Sequence, residues 1–318
     1  MSEMPKLLFI GPGMPSVRAR VAETFDVVEL PADGRDAFLA EQAEGIVAVA
    51  TFHGLSSDVM AALPDLKVIS SFGVGYDAID ANEAARRGIL VGHTPDVLND
   101  EVADTTIMLW LAASKRLVQA DAWARSGTWE REGNYPLTKS VRGRTVGILG
   151  LGRIGQTIAS MAQMFDARVI YHSRTKKDVP FTYYGNLVDM ARDADVLIVI
   201  TPGGAATQHL VNADVLNALG PEGILVNIAR GSVVDEAALI SALEDGRLGG
   251  AGLDVFEHEP HIPDALKAMD NVVLAPHIGS ATVETRDAMG ALVCENLEQW
   301  AASGSIKACV PECQHLNG

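Results

Sequence analysis

Thr145-Val146-Gly147-Ile148-Leu149-Gly150-Leu151-Gly152-Arg153-Ile154-Gly155 joins a short apolar run to a turn with glycines at spacings of two and three. The run reads as a buried strand, and the residues after it read as the start of a helix. A lone G-x-G-x-x-G is weak, but between a strand and a helix it marks a dinucleotide site. In that setting Gly150 permits the tight turn, Gly152 lets backbone approach a pyrophosphate, and Gly155 lets helix and strand pack closely. Arg153 and Ile154 open the helix, whose N-terminal N–H groups suit phosphate.

Outward from this unit, apolar runs alternate with helix-like segments. Downstream they fall at Arg168 to Tyr171, Val196 to Ile200, Ile224 to Ile228, Gly250 to Asp254 and Val272 to Ala275. Upstream they fall at Leu7 to Ile10, Val27 to Leu30, Ile46 to Ala50 and Val68 to Ser70. This is the pattern of parallel sheets with helices on both faces, an α/β fold of two doubly wound parallel-sheet domains. Between them, Asn99 caps an Ala/Leu-rich stretch read as one long helix running to about Ser126. The last helix is placed at about Ala281 to Ala301, returning the chain to the first domain. The expected domains are therefore 1–98 with 288–318, and an inserted 99–287.

The strand ending at Tyr171 leads into His172-Ser173-Arg174-Thr175-Lys176-Lys177. NAD enzymes commonly place a carboxylate near here for the ribose 2′-hydroxyl. This chain offers Ser173, Arg174 and Thr175 instead. An Arg fork and hydroxyl donors suit a 2′-phosphate, which a carboxylate would repel. The expected cofactor is NADP(H), with NAD(H) possible.

Three later segments carry reactive side chains after strands: Asn227-Ile228-Ala229-Arg230-Gly231, Asp254 to Pro260, and Pro276-His277-Ile278-Gly279-Ser280. Ligands of open α/β sheets bind beyond the carboxyl ends of the strands. Reducing a keto acid needs a cation for the carboxylate and a proton for the developing alkoxide. Arg230 suits the first by its fork. His277 suits the second, because imidazole as a class titrates near neutral pH. A neighbouring carboxylate, Glu257 or Glu259, would favour the imidazolium.

These segments, with Val74-Gly75-Tyr76-Asp77-Ala78-Ile79-Asp80 and Val234-Asp235-Glu236, resemble the D-isomer-specific 2-hydroxyacid dehydrogenase family over nearly the whole chain. The resemblance implies a Rossmann cofactor domain inserted in a flavodoxin-like substrate domain. It places the catalytic roles on Arg230, Glu259 and His277, with Glu259 rather than Glu257 pairing the histidine. It implies that Val74 and Gly75 hold the substrate carboxylate and that Asp254 serves the nicotinamide carboxamide. Thr201, Pro202, Ile228 and Ala229 line the cofactor. Within the family, the Ser173 to Thr175 stretch is most similar to NADP-dependent glyoxylate and hydroxypyruvate reductases. The expected partners are a small 2-keto or 2-hydroxy acid and a second copy of the chain in a homodimer. In that homodimer the segment Gly127 to Leu137, with Trp129, is read first as an ordinary interface or packing loop, with an arm reaching toward the partner's active site as the alternative. Rival readings are a reductase of a larger 2-keto acid, in whose pocket His53 either touches substrate or is simply solvated, and a non-enzymatic dinucleotide-sensing binding protein.

Composition bounds these readings. With 318 residues the chain buries full cores. A formal charge of −16 disfavours nucleic acid. No apolar run reaches the roughly 18 residues a membrane span needs. The three cysteines, Cys294, Cys309 and Cys313, suggest reduced thiols, with the latter two in a tail expected to fray. No metal-ligand spacing is seen. The chain is read as a soluble, cytoplasmic protein.

Overall fold

The computed structural model describes residues 4–318. The chain divides into two compact units, one comprising the residues up to Leu98 with Thr282–Gly318, the other Asn99–Ala281. The second division falls ahead of helix Val283–Ser303 and not inside it at 287/288. That helix is one rod, buried on one face against the first unit.

In the first unit the strands are β1 (Lys6–Ile10), β2 (Asp26–Glu29), β3 (Ile46–Thr51), β4 (Val68–Ser71) and β5 (Leu90–Gly92). They form one sheet in the order β2-β1-β3-β4-β5, and every pairing is parallel. β4 and β5 are buried along their whole length, because helices cover both faces and no polar face is required. The returning helix is pinned by a buried polar contact. Asn296 Nδ2 donates to Ser70 Oγ at 3.3 Å, and its Oδ1 accepts from Ala308 N–H at 2.8 Å. Ser70 Oγ in turn donates to Val293 O at 3.1 Å. A buried amide left without these partners would be costly, so the network fixes where the helix lies.

The cysteine tail does not fray. Cys309 and Cys313 are buried, and Pro311–Leu316 forms a 3-10 turn against the first unit's core. Burial pushes the Cys294 and Cys309 thiols up to about 11, which leaves them poor nucleophiles.

In the second unit the strands are β6 (Thr145–Leu149), β7 (Arg168–His172), β8 (Thr182–Tyr183), β9 (Val196–Val199), β10 (Ile224–Asn227), β11 (Gly250–Leu253) and β12 (Val272–Leu274). Their order is β12-β11-β10-β9-β6-β7-β8, again all parallel. The chain starts in the interior at β6, runs outward through β7 and β8, then crosses to β9 on the other side. That reversal opens a crevice at the carboxyl ends of β6 and β9, the place where such sheets take ligands.

Two strands escape the sequence pattern. β8 spans two residues, too few for an apolar run to register, whereas the three-residue β5 takes up an apolar run, Ile89 to Val91, as long as that of β12. The helix expected to run unbroken from Asn99 to Ser126 is instead two pieces, Asn99–Lys115 and Leu117–Arg125, and a further short helix, Thr128–Glu132, follows beyond it. The break is at Arg116, in the left-handed region at φ 51°. No glycine or proline marks it. The physical difference is burial: Asn99–Lys115 packs against β10, β11 and helix Arg153–Gln163, while Leu117–Arg125 buries no residue.

Candidate functional site

The turn after β6 is shaped for a dinucleotide. Gly150 has φ +103°, and a Cβ there would lie 2.8 Å from Ile200 O and 2.9 Å from Thr201 Cα. Only glycine lets β6 and the end of β9 approach so closely. A Cβ on Gly155 would fall 2.3 Å from Gly150 O, which fixes how near the helix packs. A Cβ on Gly152 would meet nothing within 4 Å, so that backbone faces open space. Gly152 caps helix Arg153–Gln163 with no side-chain acceptor, and no acidic residue stands in the first turn. The helix N-terminus therefore keeps its donors for an anion, and these residues fit a pyrophosphate. Ile154 follows, partly buried, and Arg153 is exposed. After β9, Thr201 and Pro202 begin a loop closed by Thr207 Oγ1, which donates to Pro202 O at 2.8 Å. Ile228 and Ala229, at the end of β10, are buried.

At the end of β7, Arg174 and Thr175 are exposed and Ser173 is partly buried. Ser173 Oγ donates to Thr175 O at 2.7 Å, so its single proton is engaged within the turn. To serve a phosphate, the hydroxyl must rotate off that carbonyl. The exposed Arg174 needs no such release.

The three reactive segments follow β10, β11 and β12, neighbours in the sheet. His277 Nδ1 donates to Glu259 Oε2 at 2.7 Å. A carboxylate accepts, so Nδ1 carries the proton and Nε2 is the nitrogen left for chemistry. Nε2 has no hydrogen-bond partner among the described residues. The other Glu259 oxygen, Oε1, accepts from Phe256 N–H at 3.0 Å, which sets the carboxylate's orientation. Burial works to raise the Glu259 pKa, but the His277 hydrogen bond, the Phe256 amide and the charges of His277 and Arg230 outweigh it. The net direction is downward, so Glu259 is anionic at neutral pH.

The residues alone left Glu257 and Glu259 as alternatives beside the imidazole. The structure gives each its own histidine. Glu257 Oε1 lies 2.9 Å from His209 Nε2, and Glu257 N–H donates to Glu236 Oε2 at 3.3 Å.

His277 sits at φ 55° in the left-handed region, a conformation costing on the order of 1 kcal/mol for a residue with a Cβ. Asp254 holds it there. Asp254 O accepts from His277 N–H at 2.8 Å, Oδ1 from Ile278 N–H at 2.7 Å, and Oδ2 from Gly279 N–H at 2.8 Å. Burial raises the Asp254 pKa, and these amides together with the His277 charge oppose the rise without cancelling it. Asp254 is thus a clamp on the His277 turn, a role its sequence context did not disclose.

Arg230 stands in an extended residue ahead of the short turn Gly231–Val233. Its Nη1 donates to Ala229 O at 2.8 Å. Asn227, 1% exposed, brackets the segment: its Oδ1 accepts from Ala229 N–H at 3.1 Å and its Nδ2 donates to Arg230 O at 3.0 Å. A Cβ on Gly231 would fall 1.9 Å from Phe256 C. Glycine there lets the Arg230 segment lie directly on the loop that carries Glu259. The sequence signal for both was present, in an Asn at a strand end and a Gly after Arg, but neither had been assigned a role.

In the first unit, Val74 and Gly75 follow β4 in a loop held from β5's side. His93 Nδ1 donates to Val74 O at 3.0 Å, and Thr94 N–H donates to Gly73 O at 2.9 Å. The Tyr76 ring stacks edge-on to His93 at 5.4 Å. Among the described residues there is no cluster of His, Cys, Asp or Glu able to hold a metal, and no helix long and apolar enough to cross a membrane.

A glycine turn fitted to a dinucleotide, on the same sheet edge as a carboxylate-held histidine, defines an NAD(P)-dependent oxidoreductase. The family model described as the D-isomer specific 2-hydroxyacid dehydrogenase, NAD binding domain, matches residues 107–279. A glyoxylate/hydroxypyruvate reductase A of Arabidopsis thaliana is 50% identical over 254 residues, 80% of this chain and 81% of that one. A hydroxyphenylpyruvate reductase of Plectranthus scutellarioides is 49% identical over 264 residues, 82% of this chain and 84% of its own. Among solved structures, an NADPH-dependent glyoxylate/hydroxypyruvate reductase of Sinorhizobium meliloti in complex with NADP and malonate superposes with a TM-score of 0.94. It is 48% identical and covers 98% of both chains. The chain belongs to the D-isomer-specific 2-hydroxyacid dehydrogenase family.

Proposed function

We propose that this protein is an NADPH-dependent reductase of small 2-keto acids. Glyoxylate and hydroxypyruvate are its substrates, and the products take the D configuration where a stereocentre forms. On this reading it works as a cytoplasmic homodimer. The observation that carries the reading is the Glu259–His277 pair, 2.7 Å apart, at a strand end beside those bearing Asp254 and Arg230. The Sinorhizobium meliloti relative, NADPH-dependent and solved with NADP, supports the substrate class and the coenzyme.

The coenzyme, when bound, supplies the hydride that reaches the keto carbon. Arg230 binds the substrate carboxylate with its guanidinium fork. In the first unit, the Val74–Gly75 backbone is the proposed carboxylate-holding loop. His277 Nε2–H protonates the keto oxygen as negative charge develops there, and the imidazole is left neutral. Glu259 keeps Nδ1 protonated and stabilises the imidazolium before transfer. Asp254 fixes the ring's backbone. Its carboxylate also remains the candidate acceptor for the nicotinamide carboxamide.

Initial rates with NADPH and NADH, against glyoxylate, hydroxypyruvate, pyruvate and phenylpyruvate, test the whole reading. NADPH with the first two substrates is expected to be fastest, with kcat/KM at least about tenfold above NADH, a free-energy gap one charge-assisted contact supplies. Preference for NADH would refute the coenzyme assignment. A second reading has its own observation: 49% identity to a reductase of an aromatic keto acid. Phenylpyruvate turned over fastest would select it. Tight dinucleotide binding with no turnover of any keto acid would select a dinucleotide-sensing binding protein.

Glu259→Gln isolates the charge from the hydrogen bond, since the amide oxygen still accepts from Nδ1. Reduction needs the imidazolium, so its rate falls as pH rises. Removing the carboxylate makes the imidazolium harder to hold. The rate of reduction at neutral pH is therefore expected to fall by about tenfold. An unchanged rate would remove Glu259 from its role.

A further inference from the structure

We infer that Tyr171 determines coenzyme specificity by position: its buried phenol closes the turn after β7 into the shape that presents Arg174 to the coenzyme's 2′-phosphate. The inference rests on the NADPH preference proposed above.

Tyr171 is 0% exposed and is the last residue but one of β7. Its hydroxyl reaches past the strand end to Lys177. Lys177 N–H donates to Tyr171 Oη at 2.8 Å, and Oη donates to Lys177 O at 3.2 Å. One phenol thus uses its donor and an acceptor site on both backbone groups of a single residue, tying the far end of the turn to the sheet. The near end is tied by the neighbouring strand. Tyr183, the register partner of Tyr171 on β8, donates from its Oη to Ser173 O at 3.3 Å. The two rings lie 5.4 Å apart.

Between these fastenings stand Arg174, Thr175 and Lys176, all exposed. An exposed guanidinium on a loose loop loses both backbone and side-chain freedom on gripping a phosphate. On a fastened turn only the side chain is left to order, so more of the contact energy appears as affinity. NADH carries a hydroxyl where NADPH carries the phosphate, so fastening the turn favours NADPH selectively. This separates a positioning role from simple packing, which would affect both coenzymes.

The test is the ratio of kcat/KM for NADPH to that for NADH, with glyoxylate, in the full-length enzyme and in Tyr171→Phe, Tyr183→Phe and Arg174→Ala. Tyr171→Phe keeps the ring and deletes only the fastening. Its ratio is expected to fall about tenfold, through KM for NADPH, the size of one lost ordering contact. Tyr183→Phe is expected to lower the ratio in the same direction by less, since it frees the near end alone. An unchanged ratio in Tyr171→Phe, or an equal loss with both coenzymes, overturns the inference. Arg174→Ala separates this from the parent reading. If Arg174→Ala lowers the ratio while Tyr171→Phe does not, only the positioning role falls. If the unmodified enzyme shows no NADPH preference, the coenzyme reading falls and takes this one with it.

Discussion

His277→Ala is expected to lower kcat for glyoxylate reduction by about a thousandfold, the middle of the range for losing a positioned general acid. NADPH affinity, followed by nicotinamide fluorescence, is expected to stay within about twofold, since the imidazole holds a proton and not the coenzyme. The geometry gives the reasons. Nδ1 is committed to Glu259 at 2.7 Å, so Nε2 is the one nitrogen able to serve the substrate. The turn is held by three hydrogen bonds from backbone N–H groups to Asp254, and these do not involve the ring, so the deletion leaves the scaffold standing. The φ of 55° is more costly for Ala than for His, whose class tolerates that region better. A modest fall in thermal stability therefore accompanies the kinetic loss. Turnover comparable to the unmodified enzyme would overturn the acid assignment.

Much of this was legible because it is local. The glycine spacing after Thr145–Leu149 required a close backbone approach, and the structure has that approach at Ile200 and Thr201. The parallel strands stood out because burial on both faces makes them continuous apolar runs. What could not be read depended on contacts between distant segments. No periodicity joins His209 to Glu257, so the second His–Glu pair emerged only from the fold. The resemblance gave Asp254 a place beside the nicotinamide carboxamide, yet both its oxygens also hold amides of a segment more than twenty residues on, Ile278 and Gly279. Arg116 enters the left-handed region without a glycine to announce it, because the packing surface beneath the helix ends there. The terminal cysteines looked peripheral by position, but the returning helix Val283–Ser303 carries the tail back onto the first unit's core.

Arg230 is expected to matter through substrate binding as well as rate. Arg230→Gln is expected to lower kcat/KM for glyoxylate by at least about a hundredfold, near 3 kcal/mol for losing a desolvated charge partner of a carboxylate. Arg230→Lys separates charge from shape. It keeps the cation but loses the planar fork, so it is expected to recover part of the loss in KM and little in kcat. The structure explains why the fork has a defined direction. Asn227 brackets the backbone on both sides of Ala229, and Gly231 lets the segment rest on Phe256, where any side chain would collide. The same closeness puts the Arg230 charge where it helps hold Glu259 anionic. An Arg230→Gln variant that loses rate with no change in KM would leave Arg230 without its role in holding the substrate carboxylate. One that retains full kcat/KM would remove it from the site.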